Sequence, residues 1–465
     1  MPLGRNRPGD LGTRGARLRL EPCPSCRLCC IPGAGIPPGK AFLFSAAAST
    51  LNPFLPVPPS PSREDLPVVK EPTFENALSF AQDLIRIPSM SGKEKEVAGR
   101  ILLEMEDLGY DETRIDEVGN VIGVVRGMGG GPPVMLNCHM DVVAEGDHET
   151  WEHPPFGGDV ADGFLHGRGA MDIKGPLALQ TYAAAVLRGT APGDVVVAHT
   201  VFEERGGWGM EHLMASGAVN PAAVVIGEAT GGDVTMGHRG RGELEIVLTG
   251  LAGHASAPER AKNALSLVPA VLRALGDLAE GQADDPILGR ASLVPTQIET
   301  SPASRNVIPD RAMVVVDWRV LPGSTDEELE GQIRDALRTH LPRAPEGMGV
   351  EVRTAREWQE TYTGVGELRN LFTPGFLMQA DHPAVVAAAR AVGSREGSGP
   401  ARIRPWTFAT DGGWSCGVFG VPTVGFAPGE ERFAHTNRER LDLDEARWAF
   451  ARHSDLVLGL QKSLG

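Results

Sequence analysis

The stretch Leu136-Asn137-Cys138-His139-Met140-Asp141-Val142-Val143 ends a short apolar run, begun at Val134, on a histidine and an aspartate one residue apart. A lone histidine at the end of a buried strand is ordinarily a hydrogen-bonded core residue, so the pair gains meaning only where other strand ends supply matching groups. Two further runs do so. Val195 to Phe202, interrupted only by Ala198, His199 and Thr200, leads into Glu203-Glu204, and Ala222 to Ile226 leads into Gly227-Glu228. Near-continuous apolar strands separated by helical segments such as Gly175 to Leu187 predict an α/β fold, a mostly parallel sheet with helices on both faces. Ligands bind such sheets at the carboxyl ends of the strands, so the three clusters are expected on one rim.

Working outward, His166-Gly-Arg-Gly-Ala-Met-Asp172-Ile-Lys-Gly175 is a glycine-rich turn that delivers Asp172 to the start of a helix. A carboxylate there can simply cap the helix, but its place between the other clusters favours a shared site. Upstream, Phe74, Ala77, Leu78, Ala81, Leu84 and Ile85 fall at helical spacing, and Pro88 stops that helix. Ser91-Gly-Lys-Glu94 has the spacing of a capping box opening a second helix. Val121 to Val125 is strand-like, and Gly127 to Pro133 lacks the Gly-Lys-Ser/Thr of a phosphate loop. From Gly240 to Val352 the texture changes to alternating strands and two helices, which predicts an inserted α+β unit with an antiparallel sheet. Chain like the first part then resumes near Arg353 and runs through Val421-Pro-Thr-Val-Gly-Phe426 to Ala434-His435-Thr-Asn. The expected organisation is an extension over 1–70, a catalytic domain over 71–239 and 353–465, and an insertion over 240–352.

Length and charge narrow the partners. At 465 residues the chain is too long for one core. A net charge of −16 leaves no basic surplus to neutralise phosphates, which argues against nucleic acid and anionic membranes and for a small molecule. No run of 18 apolar residues occurs, so no spanning helix is expected, and the expected location is the cytoplasm. Residues 1–70 are rich in Pro, Gly and Arg without a sustained period, as in disordered segments. Within them Ala41 to Leu51 has the length of a signal core but lies unusually far along, and Cys23, Cys26, Cys29 and Cys30 have ligand-like spacing with no second half.

His139, Asp172, Glu204, Glu228 and His435 together offer two imidazoles and three carboxylates, a donor set suited to zinc and its divalent neighbours. Two ions with three protein ligands each require one bridging carboxylate, and Asp172, central in sequence, is the choice. Asp141 is placed to accept the spare ring N–H of His139, and Glu203, adjacent to Glu204 but differently directed, to take a proton from the attacking water.

These segments resemble the co-catalytic zinc peptidase family that includes carboxypeptidase G, acetylornithine deacetylase, succinyl-diaminopimelate desuccinylase and aminoacylase. The likeness rests on His139-Met-Asp141, Gly167 to Gly175, Glu203-Glu204, Gly227-Glu228-Ala, Gly253-His254-Ala-Ser and Ala434-His435-Thr-Asn, in the family's order over about residues 73–460. It implies one metal on His139, Asp172 and Glu228, another on Asp172, Glu204 and His435, and Glu203 as general base. Two divalent ions are implied, zinc foremost, with cobalt or manganese as alternatives. The insertion is similar to the family's lid and dimerisation domain, which implies a homodimer. In that domain His254 looks like a histidine that reaches the partner subunit's site to meet the oxyanion. Asn306 and Arg319 look like substrate-binding residues, Arg319 suited to a carboxylate. Trp151 to Phe156, Gly240 to Ile246, Ser256 to Asn263 and Pro405 to Phe408 resemble the selenium-metabolism-linked, YgeY-like subgroup. Arg205-Gly206 departs from the family, where many members carry another acidic residue after the glutamate pair.

The implied activity is metal-dependent hydrolysis of an amide in a peptide, an N-acyl amino acid or an N-carbamoyl amino acid. Two rivals exist. Gly413-Trp-Ser415-Cys-Gly417 fits a serine nucleophile elbow, but Thr410-Asp-Gly-Gly stands where an apolar strand is required, and Asp411 there is better placed as a substrate-pocket or hydrogen-bonding residue. A catalytically silent relative that binds metal or peptide is the other, and such a relative would be expected to lack a ligand or the base.

Overall fold

A computed structural model of the chain describes residues 69–465. The expectations for the N-terminal extension, its cysteine cluster and the apolar Ala41 to Leu51 lie outside the described residues.

The apolar runs form the centre of an eight-stranded sheet. Its order is Glu112–Ile115, Val121–Val125, Val195–Thr200, Val134–His139, Ala223–Ile226, Thr423–Gly425, Val234–Thr235 and Ile403–Arg404. The four strands from Val195–Thr200 to Thr423–Gly425 are mutually parallel, while Val121–Val125 joins them antiparallel. Every residue of Val121–Val125, Val134–His139, Val195–Thr200 and Ala223–Ile226 is buried, which is why these strands lack polar alternation: both faces are covered. Among the packed helices are Phe74–Ile85, Lys174–Val186, Pro383–Val392 and Leu443–Leu464. Register sets the rim directly, for His139 stands beside Thr200 and Asn137 beside Ile226, so the clusters that follow them emerge together.

The second sheet is antiparallel, in the order Ser292–Ser301, Arg311–Val320, Gly240–Thr249 and Gly349–Thr354, with Phe372–Thr373 also paired to Gly240–Thr249. Arg311–Val320 alternates buried and part-exposed residues along its length, the mark of a one-sided sheet. Its buried side joins helices Val268–Glu280 and Asp326–His340 in a separate core around Ile246, Val316, Trp318 and Ile333. The open side carries Arg241, Glu243, Asp317 and Arg319. Chain enters and leaves this sheet beside itself, because Gly237–His238 pairs with Phe376–Leu377.

One local expectation is corrected, and the serine-elbow rival finds no support. The helix after Ser91 begins at Lys95, and its cap residue Glu94 makes no capping hydrogen bond. Ser91 Oγ instead donates to Asp141 Oδ2 at 2.7 Å. Ser415 lies buried in a π-turn over Gly413–Val418, its hydroxyl 2.8 Å from that of Thr423, rather than exposed on an elbow. Among the described residues no helix is long and apolar enough to cross a membrane.

Candidate metal centre and active site

The strand ends converge on Asp172. One of its oxygens, Oδ1, lies 3.3 Å from His139 Nε2, and the other, Oδ2, lies 3.3 Å from His435 Nε2. Each imidazole nitrogen also faces a second carboxylate: Glu228 at 3.2 Å from His139 and Glu204 at 3.1 Å from His435. A single carboxylate is thus flanked by two His–Glu pairs. His139 Nδ1 is 2.8 Å from the Asp141 main-chain oxygen, which can only accept, so Nδ1 carries a proton and Nε2 is the nitrogen turned to the cluster. The Asp141 carboxylate was the expected acceptor, yet its Oδ1 is farther, at 3.5 Å.

That carboxylate has other work. Oδ1 accepts the main-chain N–H of Glu203 at 3.1 Å, and Oδ2 accepts that of Glu204 at 3.3 Å together with the Ser91 hydroxyl. One side chain therefore fixes the backbone that carries both glutamates. The preceding residue, Phe202, has φ of +56°, and His435 has φ of +59°, left-handed conformations that cost side-chain-bearing residues free energy and concentrate at functional sites.

Asp172 is held from behind by Glu439, whose Oε1 accepts the N–H groups of Met171 and Asp172 at 3.2 Å each. Its Oε2 accepts from Arg168 Nη1 at 2.5 Å, and both partners of this ion pair are buried. The turn needs its glycines: Gly167 and Gly169 have φ of +140° and +84°.

Electrostatics follow from burial. Burial pushes the Glu203 carboxyl well above its usual range and that of Glu228 up to about 7. Burial also acts to raise Asp172, but hydrogen bonds from His139 and His435 outweigh it and hold Asp172 below the usual carboxylate range. Hydrogen bonds to Asp172 and Glu204 raise His435 to about 10. Crowded, desolvated carboxylates interleaved with imidazoles call for added positive charge, and oxygen and nitrogen donors in this mixture fit divalent transition ions. Subsets of the cluster, His139–Asp172–Glu204 and His139–Glu203–Glu228, each place one donor atom per residue within 4.8 Å of the others.

A cavity of about 530 Å³ opens over the cluster, lined by Asp172, Glu203, Glu204, Glu228 and His435 on one side and by Arg319 and Arg241 of the inserted sheet on the other. Asp411 is not in its lining; it is buried, accepts the Thr200 hydroxyl at 2.7 Å through Oδ2, and is pushed by burial to about 7. His254 and Asn306 also stand outside it, exposed on adjoining parts of the insertion, where Gly253–His254 pairs with Val307–Ile308. Sequence inspection passed over Ser91, Glu439 and Arg241. It also passed over Glu94, buried and pushed to about 8 by burial and then by the charge of Asp141. Only Arg241 had a usable signal: strand alternation puts it on one face with Glu243 and Glu245.

A profile of peptidase family M20/M25/M40 matches residues 135–458. The uncharacterized protein YgeY of Escherichia coli K12 is 32% identical over 366 residues, covering 78% of this chain and 88% of that protein. A succinyl-diaminopimelate desuccinylase of Acidiphilium cryptum is 32% identical over 293 residues, covering 60% and 76%. The crystal structure of YXEP from Bacillus subtilis, a dinuclear metal-binding peptidase of the M20 family, superposes with a TM-score of 0.61 at 16% identity, covering 84% of this chain and 99% of that one.

Proposed function

The chain belongs to peptidase family M20/M25/M40, and from that membership we propose that it hydrolyses the amide bond of a short peptide, an N-acyl amino acid or an N-carbamoyl amino acid. The observation that carries this is the placement of Asp172 between His139 and His435, each with its own glutamate. In this reading His139, Asp172 and Glu228 hold one divalent ion, and Asp172, Glu204 and His435 hold the other. Zinc is the preferred metal, with cobalt or manganese as substitutes. Two such ions supply Lewis acidity toward the scissile carbonyl and acidify water.

The residues of the chain do the rest. Glu203, desolvated and therefore avid for a proton, takes one from the attacking water and returns it to the leaving amine. Asp141 keeps Glu203 and Glu204 in register through their N–H groups, and Glu439 does the same for Asp172. Arg319 binds a substrate carboxylate. Asp411, beneath the rim, steadies Thr200 and through it the strand that leads to Glu203. His254 and Asn306, exposed on the insertion, meet the active site of a second subunit, His254 at the developing oxyanion, in a homodimer formed through the insertion. The cytoplasm is the proposed compartment; Cys138 and Cys416 are free thiols.

A silent relative is the weaker reading, because every expected ligand and the base are present. The test is hydrolysis of a panel of N-acetyl, N-succinyl and N-carbamoyl amino acids and dipeptides by zinc-loaded and chelator-stripped protein. Chelator-sensitive release of free amine from one class supports the proposal. Tight zinc binding with no turnover across the panel would leave the silent relative as the better account.

A further inference from the structure

Arg241 and Arg319 stand directly opposite one another on neighbouring antiparallel strands, with Glu243 and Asp317 paired two residues along. Side chains of directly opposed residues share a face, so both guanidiniums project from the open side of the inserted sheet. Asp317 sits between them and takes one Nε from each: Arg241 Nε to Oδ2 at 2.8 Å, Arg319 Nε to Oδ1 at 2.9 Å. Both arginines thereby use the inner edge of the guanidinium on a shared carboxylate. Among the described residues Arg319 makes no other side-chain hydrogen bond, and Arg241 adds only a long one, Nη2 to Glu243 at 3.3 Å. The remaining Nη donors belong to side chains that line the cavity over the Asp172 cluster and are 42% and 34% exposed.

The surroundings sharpen what those donors can take. The opposite wall is Asp172, Glu203, Glu204 and Glu228, and Glu431 also lines the cavity, so among the described residues Arg241 and Arg319 are its cationic side chains apart from His435. An ordinary ion-pair ladder on a sheet face would bury the Nη ends in neighbouring acids; here Asp317 orients both forks and, apart from the long contact of Arg241 Nη2 with Glu243, leaves their outer donors open. A planar carboxylate accepting from two forks is the complementary ligand.

Resting on the hydrolase reading above, we propose that Arg241 is a second substrate-binding residue. With Arg319 on the Asp317 frame it seats one carboxylate of the substrate, which makes the enzyme selective for amides carrying a free carboxylate over their carboxamide counterparts.

The test uses zinc-loaded full-length protein and two probes that are not cleaved at an internal amide, succinate and succinamide, titrated by calorimetry. Succinate is expected to bind about tenfold or more tightly than succinamide, the scale of one or two charge-assisted hydrogen bonds. Arg241→Gln should weaken succinate about tenfold and leave succinamide unchanged. Arg241→Lys, which keeps the charge beside Asp317 but loses the fork, should fall between, and it serves if the glutamine variant does not fold. Glu243→Gln, which frees Nη2, should leave succinate binding equal or tighter. Unchanged succinate binding in the Arg241 variants, equal losses in Glu243→Gln, or no succinate binding to wild type would each overturn the proposal. Arg241-dependent succinate binding in a protein that cleaves nothing in the amide panel would overturn the hydrolase reading and leave the seat standing.

Discussion

Glu203 is half-buried in the cavity lining and Glu439 is buried behind Asp172, and their replacement separates chemistry from support. Glu203→Ala is expected to lower kcat by about two to four powers of ten with zinc content unchanged, because the proposed general base is lost and none of the proposed ligands is. Metal analysis and steady-state kinetics check it; retained turnover sinks the base assignment. Glu439 instead closes a buried ion pair with Arg168 and two backbone N–H groups. Glu439→Ala strands a buried guanidinium and should cost about 3–5 kcal/mol by urea unfolding. A loss under 1 kcal/mol would show that the pair is not holding the turn. The groups that carry charge to the rim were legible in sequence because apolar runs end on them, His139 and Glu228 above all. Ser91, Glu94 and Glu439 were not, since each lies far along the chain from the residue it serves and its local spelling fits a helix start or a loop charge equally well.

Among elements, the strands were the easiest to read and the helix starts the hardest. Val121–Val125 follows from four β-branched residues around one glycine, and the parallel centre follows from runs without polar alternation. The Ser91–Glu94 spacing failed as a cap because Asp141, fifty residues away, offers the serine a buried charged acceptor. The packing of Ala223–Ile226 against Val134–His139 is close enough to fix residue size where it meets the site. A Cβ added at Gly227 would stand 2.3 Å from Cys138 Sγ and 2.8 Å from Gln180 Nε2. Gly227→Ala should therefore destabilise by about 1–3 kcal/mol. Adding Cys138→Ala, which removes the sulfur, should recover part of that loss, a coupling readable from a double-mutant cycle in urea. Strict additivity would mean that the clash is relieved elsewhere.

For the molecule as a whole, three interior histidines set an acid limit. Burial drives the ring of His199 down to about 3 and those of His238 and His453 to about 4, from an ordinary value near 6.5. The unfolded chain takes up protons at these rings near pH 6.5 and the folded chain refuses them until about pH 4. Their stabilisation is therefore full above about pH 6.5 and is lost as pH falls toward 4, roughly 3 kcal/mol for His453. The destabilisation caused by His453→Gln should accordingly shrink between pH 7 and pH 4.5 when each variant is unfolded in urea beside wild type. A penalty independent of pH would mean that the ring is not held neutral. The larger plan was legible as far as the change of periodicity at Gly240, but the pairing of Gly237–His238 with Phe376–Leu377 was not, since two-residue strands leave no pattern. That narrow neck has an evolutionary meaning. The proposed metal ligands and base all lie outside residues 239–375, while Arg241, His254, Asn306 and Arg319 all lie inside. Grafting a relative's counterpart segment between the two neck strands should transfer substrate preference, measured by the ratio of kcat/KM values, and spare zinc affinity. Chemistry and choice would then be inherited as separable passages of one gene, free to drift at different speeds.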